Sequence, residues 1–215
     1  MLEGNQLALR RIYELEKDAL AGFECGHDVL DSFLVDSALD YSKHGLTETI
    51  VAFAGSDSAP AAFFSLSADG LPLKISEKLH LGLPFECAIS YFPAVKITKL
   101  AVRKDMQSSG LGSELIKIIE GLAFSSSVSV RLLTVDAFND PRAIKFYQRH
   151  GFNTSMQHQV RQHAGRGRQT GGRMPEEAKS VLMYRDLYSD EVGSAPAQQW
   201  PRSAPANQIL PDNGA

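Results

Sequence analysis

The chain has 215 residues, with 22 Lys and Arg set against 25 Asp and Glu and a hydrophobic fraction of 43%. Such a length and composition predict one globular domain with a full core plus a tail, and the formal charge of −3 excludes a general electrostatic pull toward nucleic acid. Cys25 and Cys87 are the only cysteines, too few for a disulfide framework and too far apart for a zinc site, so no metal is expected and a reducing cytoplasm is the expected home. Met1-Leu2-Glu3-Gly4 lacks the pattern of a secretory leader, and no apolar run is long enough to cross a bilayer, so no membrane association is expected.

Leu7 to Leu15 reads as a first strand, although its Arg and Glu content also allows a helix. Phe23 to Asp28 is a loop. In it, Cys25 and His27 beside Gly26 read as a tight turn rather than a metal or nucleophile pair. Val29, Leu30, Phe33, Leu34, Ala38 and Tyr41 recur at helical spacing. Thr49 to Ala54 and Ala61 to Leu66 read as strands joined by the turn Gly55-Ser56-Asp57-Ser58, a hairpin. Asp69 to Phe92 is an irregular connection with one short helix near Ser76 to Leu79. A connection of that length is uncommon unless it serves function, and a wall of an acceptor pocket is one such role.

Val95 to Val102 is predicted as the central strand. It leads into Gln107-Ser108-Ser109-Gly110-Leu111-Gly112, and that turn opens an amphipathic helix from Leu111 to Phe124 with a buried stripe of Leu111, Leu115, Ile118, Ile119 and Leu122. A strand, a Gly/Ser turn and a helix aim free N–H groups and the positive end of a helix dipole at one point, which suits a pyrophosphate. Gly110 and Gly112 lack Cβ atoms and let a bulky anion approach the main chain. A Walker loop is excluded because no lysine follows Gly112, and a dinucleotide loop because Ser108 and Ser109 stand where glycines are needed. A plain helix cap rich in small residues is the remaining alternative at this point.

Arg131 to Ala137 reads as a buried strand. Asp140 then suits an N-cap, Pro141 the first helical position, and Gly151 the residue just past the end of a helix over Arg142 to His150. Phe152 to Met156 and Val181 to Leu187 are the last expected strands. Between them, Gln157 to Lys179 holds Arg161, His163, Arg166, Arg168 and Arg173 among glycines, either a contact for RNA phosphates or a solvated loop. Ser189 to Ala215 has few large apolar residues and is expected to be a disordered tail. The expected organisation is a domain over residues 1–188 and a tail over 189–215.

Gln107, Gly110 and Gly112 fit every fixed position of the Q/R-x-x-G-x-G/A loop of the GNAT acyltransferases. Asn139-Asp140-Pro141 and Ala143-Ile144-Lys145-Phe146-Tyr147-Gln148-Arg149-His150-Gly151-Phe152 resemble the N-x-x-A-x-x-F-Y-x-x-x-G-F segment that closes GNAT domains. The resemblance runs from about Phe23 to Asp186. It implies an α/β (α+β) fold: a central mixed, mostly antiparallel sheet of six to seven strands, splayed at its middle strands and flanked by helices. It implies acetyl-CoA as cosubstrate, with Leu100, Ala101 and Val102 as main-chain contacts and Gln107, Ser108, Ser109, Gly110, Leu111, Gly112 and Ser113 as the phosphate cradle. Asn139 and Phe146 would approach the coenzyme, and Tyr147 would donate a proton to the departing thiolate. Taken alone, a tyrosine on an amphipathic helix is a core aromatic.

No general base is identified. Asp136 is positioned to serve, and a structural hydrogen-bonding role competes. Phe23-x-Cys25-Gly26-x-x-x-Leu30-Asp31-x-Phe33-Leu34, Ala38, Gly45 and Phe63 to Ser67 resemble a GNAT subgroup that includes toxins acetylating aminoacyl-tRNA. Three readings follow: an N-acetyltransferase acting on a small-molecule or peptide amine, a toxin with tRNA and an antitoxin protein as partners, and a non-catalytic acyl-CoA-binding module. The resemblance also implies a homodimer as one assembly.

Overall fold

In a computed structural model, the described residues are 7–55, 59–156 and 180–189. The loop tip at 56–58, the arginine-bearing segment 157–179 and the expected tail from 190 onward lie outside them.

Seven strands form one sheet in the order β1-β2-β3-β4-β5-β7-β6. They are β1 (Leu7–Arg11), β2 (Glu48–Ala54), β3 (Ala62–Leu71), β4 (Phe92–Val102), β5 (Leu132–Phe138), β6 (Asn153–Thr154) and β7 (Ser180–Asp186). Every neighbouring pair is antiparallel except β4 and β5. The first expected strand stops at Arg11, where the chain tightens into a 3-10 turn over Ile12–Glu14 that buries Ile12. The strand expected over Phe152 to Met156 is only two residues long: Ser155 N still donates to Leu182 O, but Met156 N is taken by a side chain of another element.

That element is the short helix α3 (Ile75–His80). Its Glu77 is buried and accepts hydrogen bonds from Ser155 Oγ at 3.2 Å, Met156 N at 2.9 Å and Lys74 N at 2.8 Å. The connection after β3 is thus clipped to the far end of the sheet. It packs Leu71, Leu73, Leu81 and Phe92 into a small core of their own.

The two sheet faces carry separate cores. On one, Phe23, Leu30, Leu34 and Ala38 pack on Val51, Phe63 and Ala101. The helix responsible runs through α1 (Asp28–Ser32), a π turn (Phe33–Ser37) and α2 (Ala38–Lys43). On the other face lie α4 (Leu111–Phe124) and α5 (Pro141–Arg149), packed on Phe64, Ile97, Leu133, Val135 and Met183. The buried stripe of α4 is Leu111, Leu115, Ile116, Ile119 and Ala123, not the expected row through Ile118 and Leu122. An aliphatic helix offers more apolar positions than one face needs, and contact with the sheet selects Ile116 and Ala123 while Leu122 stays 40% exposed.

Leu115→Ala is therefore expected to cost about 2–5 kcal/mol, and Leu122→Ala less than about 1 kcal/mol. Urea denaturation of the two variants reads the difference.

Candidate active site

The site begins where two strands part. β4 pairs with β5 only from Ala94↔Leu132 to Ile97↔Val135. Beyond Ile97, β4 continues to Val102 along β3 alone, and beyond Val135, β5 continues to Phe138 along β7 alone. The cause is a bulge. Ser65 pairs with Lys99 while Leu66 pairs with Ile97, so Thr98 is an extra residue in β4, and its Oγ1 donates to Ser65 O at 3.0 Å. A bulge sharpens local twist and bends its strand, which here turns the end of β4 away from β5. The β5-facing edge of β4 is left open over residues 98–102.

The wedge opens onto the turn before α4. Gly110 is the N-cap of α4 at φ +94°, a conformation that favours glycine, and Ser108 also lies in the left-handed region at φ +62°. The first α4 bonds run from Ser113 N and Glu114 N to Gly110 O. Among the described residues, no acceptor is found for the main-chain N–H groups of residues 108–112. These donors, at a helix N-terminus, form a ready anion cradle. A Cβ on Gly110 would meet nothing within 4 Å, so the space before it is open. Gly112 has a different reason to be glycine: its Cβ would stand 3.2 Å from the Phe146 ring, so it is the contact through which α5 packs on α4.

The cleft so formed has a volume of about 1400 Å³. That exceeds the ~300–1,000 Å³ of an ordinary small-molecule pocket and suits a long ligand. It is lined by Leu100, Ala101 and Val102 of β4, by Gln107, Ser108, Gly110, Gly112 and Ser113, and by Phe146 and Tyr147 of α5. An open strand edge, an anion cradle and a long groove between them match an anionic tail joined to an amide-bearing arm.

Residues 82–154 match the family model described as acetyltransferase (GNAT) domain. The stretch over 82–154, from the end of the β3–β4 connection through β6, is thus similar to a GNAT acetyltransferase domain. Solved structures of similar fold include a tyrosine-to-phenylalanine mutant of KacT, at 19% identity over 85% of this chain and 95% of that one with a TM-score of 0.61. AtaTR bound with AcCoA is similar at 20% identity, with 82% and 92% covered and a TM-score of 0.57. AtaT complexed with acetyl-methionyl-tRNAfMet is similar at 16% identity, with 82% and 94% covered and a TM-score of 0.56. At these identities the likeness is one of fold.

The remaining expected residues are placed unevenly. Ser109 turns its hydroxyl inward to donate to Met106 O at 2.6 Å, and the Leu111 side chain is in the core, so both face the cradle only through the main chain. Asn139 is not among the lining residues, whereas Phe138 and Asp140 are. Asp140 caps α5 by accepting from Arg142 N and Ala143 N. Gln107 does not aim its amide at the cradle. Its Nε2 donates to Cys25 O at 2.8 Å and to Val102 O at 3.1 Å, joining the entry to α1 with the end of β4. Tyr147 is buried against Phe146 and Phe152, and burial holds its phenol well above the ordinary pKa. It is therefore a protonated acid at neutral pH. Asp136 pairs with Lys96 at 2.5 Å, in keeping with the structural role weighed from the sequence.

The connection over Asp69 to Phe92 contributes no lining residue, so it is not a wall of this cleft. That wall comes from His27, Val29, Phe33 and Tyr41 around α1 and α2. His27 stacks on Phe138 across the wedge, with ring centres 5.3 Å apart. The Cys25 thiol is pushed up to about 12, first by burial and then by its hydrogen bond with Asp31, which leaves it unreactive. His150 was not singled out by sequence spacing, yet it lines the cleft, with its Nε2 3.0 Å from Ser113 Oγ. Burial, and then Arg185, Arg149 and Lys117, lower its pKa. The available signal was its place one turn beyond Phe146, whose ring it touches at 4.9 Å. Among the described residues, no group of His, Cys, Asp or Glu is arranged to hold a metal ion, and no helix is long and apolar enough to cross a membrane.

Gly110→Ala is expected to destabilise by about 1–2 kcal/mol, because its positive φ strains any side chain. Ser108→Gly, which relieves the same kind of strain, is expected to be neutral or to stabilise by less than about 1 kcal/mol. Denaturant midpoints decide both.

Proposed function

We propose that this domain transfers an acetyl group from acetyl-CoA to a primary amine by direct attack in a ternary complex. The observation that carries the reading is the wedge past Ile97, which opens onto unpaired N–H groups at one end and Tyr147 on its wall. Within the cradle over Gln107 to Ser113, the unpaired main-chain N–H groups of residues 108–112 would hold the pyrophosphate. The open edge at Leu100 to Val102 would pair with the amides of the pantetheine arm as an added strand does, and Phe146 would pack beside that arm. A main-chain N–H near Val102 would polarise the thioester oxygen. The amine nitrogen forms a bond to the acetyl carbon, the carbon–sulfur bond breaks, and the Tyr147 phenol gives its proton to the departing thiolate. The proton released by the amine re-forms the phenol through solvent. A non-catalytic binding module has no use for a buried acid at this point.

For the acceptor, a second reading has specific support: the amino group of an aminoacyl-tRNA, in a toxin neutralised by an antitoxin. Its support is the similarity in fold to KacT and to AtaT complexed with acetyl-methionyl-tRNAfMet, together with the α1 entry segment Phe23 to Leu34 that forms one wall of the cleft. The arginines over 157–179 would then supply phosphate contacts.

Tyr147→Phe is expected to lower kcat roughly a hundredfold or more with little change in acetyl-CoA affinity. Gly110→Glu is expected to remove acetyl-CoA binding, by bulk and like charge at the cradle. Thiol release and calorimetry test these, and unchanged affinity in Gly110→Glu overturns the placement of the coenzyme. Expression of the intact chain is expected to arrest growth, with relief by Tyr147→Phe; harmless overexpression overturns the toxin reading and leaves the transferase reading intact.

A further inference from the structure

The acceptor side of the wedge is an apolar and aromatic wall against which a β4 cation stands without a carboxylate partner among the described residues. Val29, Phe33 and Tyr41 line it, with Phe33 and Tyr41 edge to face and ring centres 5.5 Å apart. Two lysines of β4 stand in the same cleft. Lys96 is neutralised by Asp136 at 2.5 Å. Lys99, among the described residues, has no carboxylate at ion-pair distance. Its Nζ lies 5.2 Å from the centre of the Phe33 ring, a contact that favours the ammonium without cancelling its charge. The other charged and titratable groups lining the cleft are Lys96, Arg142, Arg149, Asp136, Asp140, His27, His150, Tyr41, Tyr147 and Cys25. Both carboxylates are engaged, Asp136 by Lys96 and Asp140 by the α5 main chain. Half-burial first, and Lys96 second, depress the Lys99 pKa against the pull of Asp136, so the site itself shows the cost of gathering cations there.

A fixed charge in a partly desolvated cleft repels a second cation brought beside it. A protonated amine must enter against Lys99, whereas a neutral amine does not, and only the neutral amine has the lone pair that attacks. We propose that Lys99 is the specificity-determining cation of the acceptor pocket: it admits primary amines of the α-amino type, with ordinary pKa values of ~7.7–8.0, and turns away ε-amines and polyamines that are cationic at neutral pH. The inference rests on the transferase reading. It also accounts for a reaction centre that offers no free carboxylate base among the described residues, since the pocket itself lowers the pKa of the bound amine. One unit of lowering raises the neutral fraction about tenfold.

The test uses the full chain with phenylalaninamide as the α-amine and Nα-acetyl-lysinamide as the ε-amine, with thiol release followed from about pH 6 to 9. In the wild type, kcat/KM is expected to favour the α-amine by the ratio of the two neutral fractions in solution, and the cationic ε-amine at pH near 7 is expected not to inhibit turnover of the α-amine. Lys99→Met, which retains an unbranched chain on Phe33, is expected to let the cationic ε-amine bind and inhibit, and to move the acidic limb of the α-amine kcat profile up by about one pH unit. Lys99→Arg keeps the charge and cannot act as a base, so it is expected to retain both properties. Acetyl-CoA affinity should be equal in all three proteins. A Lys99→Met enzyme with neither ε-amine inhibition nor a shifted kcat limb overturns the inference, and so does a Lys99→Arg enzyme that behaves like Lys99→Met. Turnover of neither amine by a protein that still binds acetyl-CoA overturns it while leaving the coenzyme site standing. Absence of acetyl-CoA binding in the wild type overturns the transferase reading itself.

Discussion

The end of pairing between β4 and β5 at Ile97 and Val135 is the constraint on which the site depends. A parallel pair carried through to Val102 would close the sheet and leave no groove. One inserted residue, Thr98, prevents that closure, and its hydroxyl repairs part of the hydrogen-bonding loss by donating to Ser65 O. The buried Thr49–Ser65 hydroxyl pair at 2.8 Å fixes the same point from the β2 side. The opening is therefore held by side-chain bonds on adjoining strands, so it is present before any ligand arrives.

The two faces of the sheet divide the work at this opening. The face packed by α4 and α5 supplies the anion cradle, the Phe146 contact to Gly112 and the buried Tyr147 phenol. The face packed by α1, the π turn and α2 supplies Phe33 and the residues around it. The splay lets both reach one cleft, which an intact sheet would keep apart. The π turn over Phe33–Ser37 shifts the helical phase just before α2 and places Phe33 where the lysine of β4 can rest on its ring.

Local chemistry made much of this legible in the sequence. The turn at Gln107 to Gly112, the Asp140–Pro141 helix start and the glycine at 151 each follow from one or two residues with narrow backbone preferences, and the structure has Asp140 capping α5 and Gly151 at φ +75°. The strand-turn-helix unit was readable for the same reason, whereas the Phe146–Tyr147 pair was singled out through the family resemblance. Features set by contacts between distant segments were not. The face of α4 is chosen by the sheet, so Ile116 replaced Ile118 in the stripe. The Asp69 to Phe92 connection is captured by Glu77 through Ser155 and Met156, about 80 positions further on, which no periodicity encodes. Lys99 on Phe33 and His150 beside Ser113 likewise join residues from separate elements. Gln107 fits the loop pattern, but its bond to Cys25 O spans 82 positions and is visible only in three dimensions.

That bond gives the molecule a property neither loop has alone. One carboxamide staples the strip of chain entering α1 to the strand end bordering the cradle, and Lys104 N adds a second stitch to Glu24 O at 2.8 Å. The two banks of the groove are thus sewn together near its mouth and are built to shift as one piece. A lineage that reshapes the α1 bank must do so without pulling these stitches, which confines such change to side chains farther along α1 and the π turn.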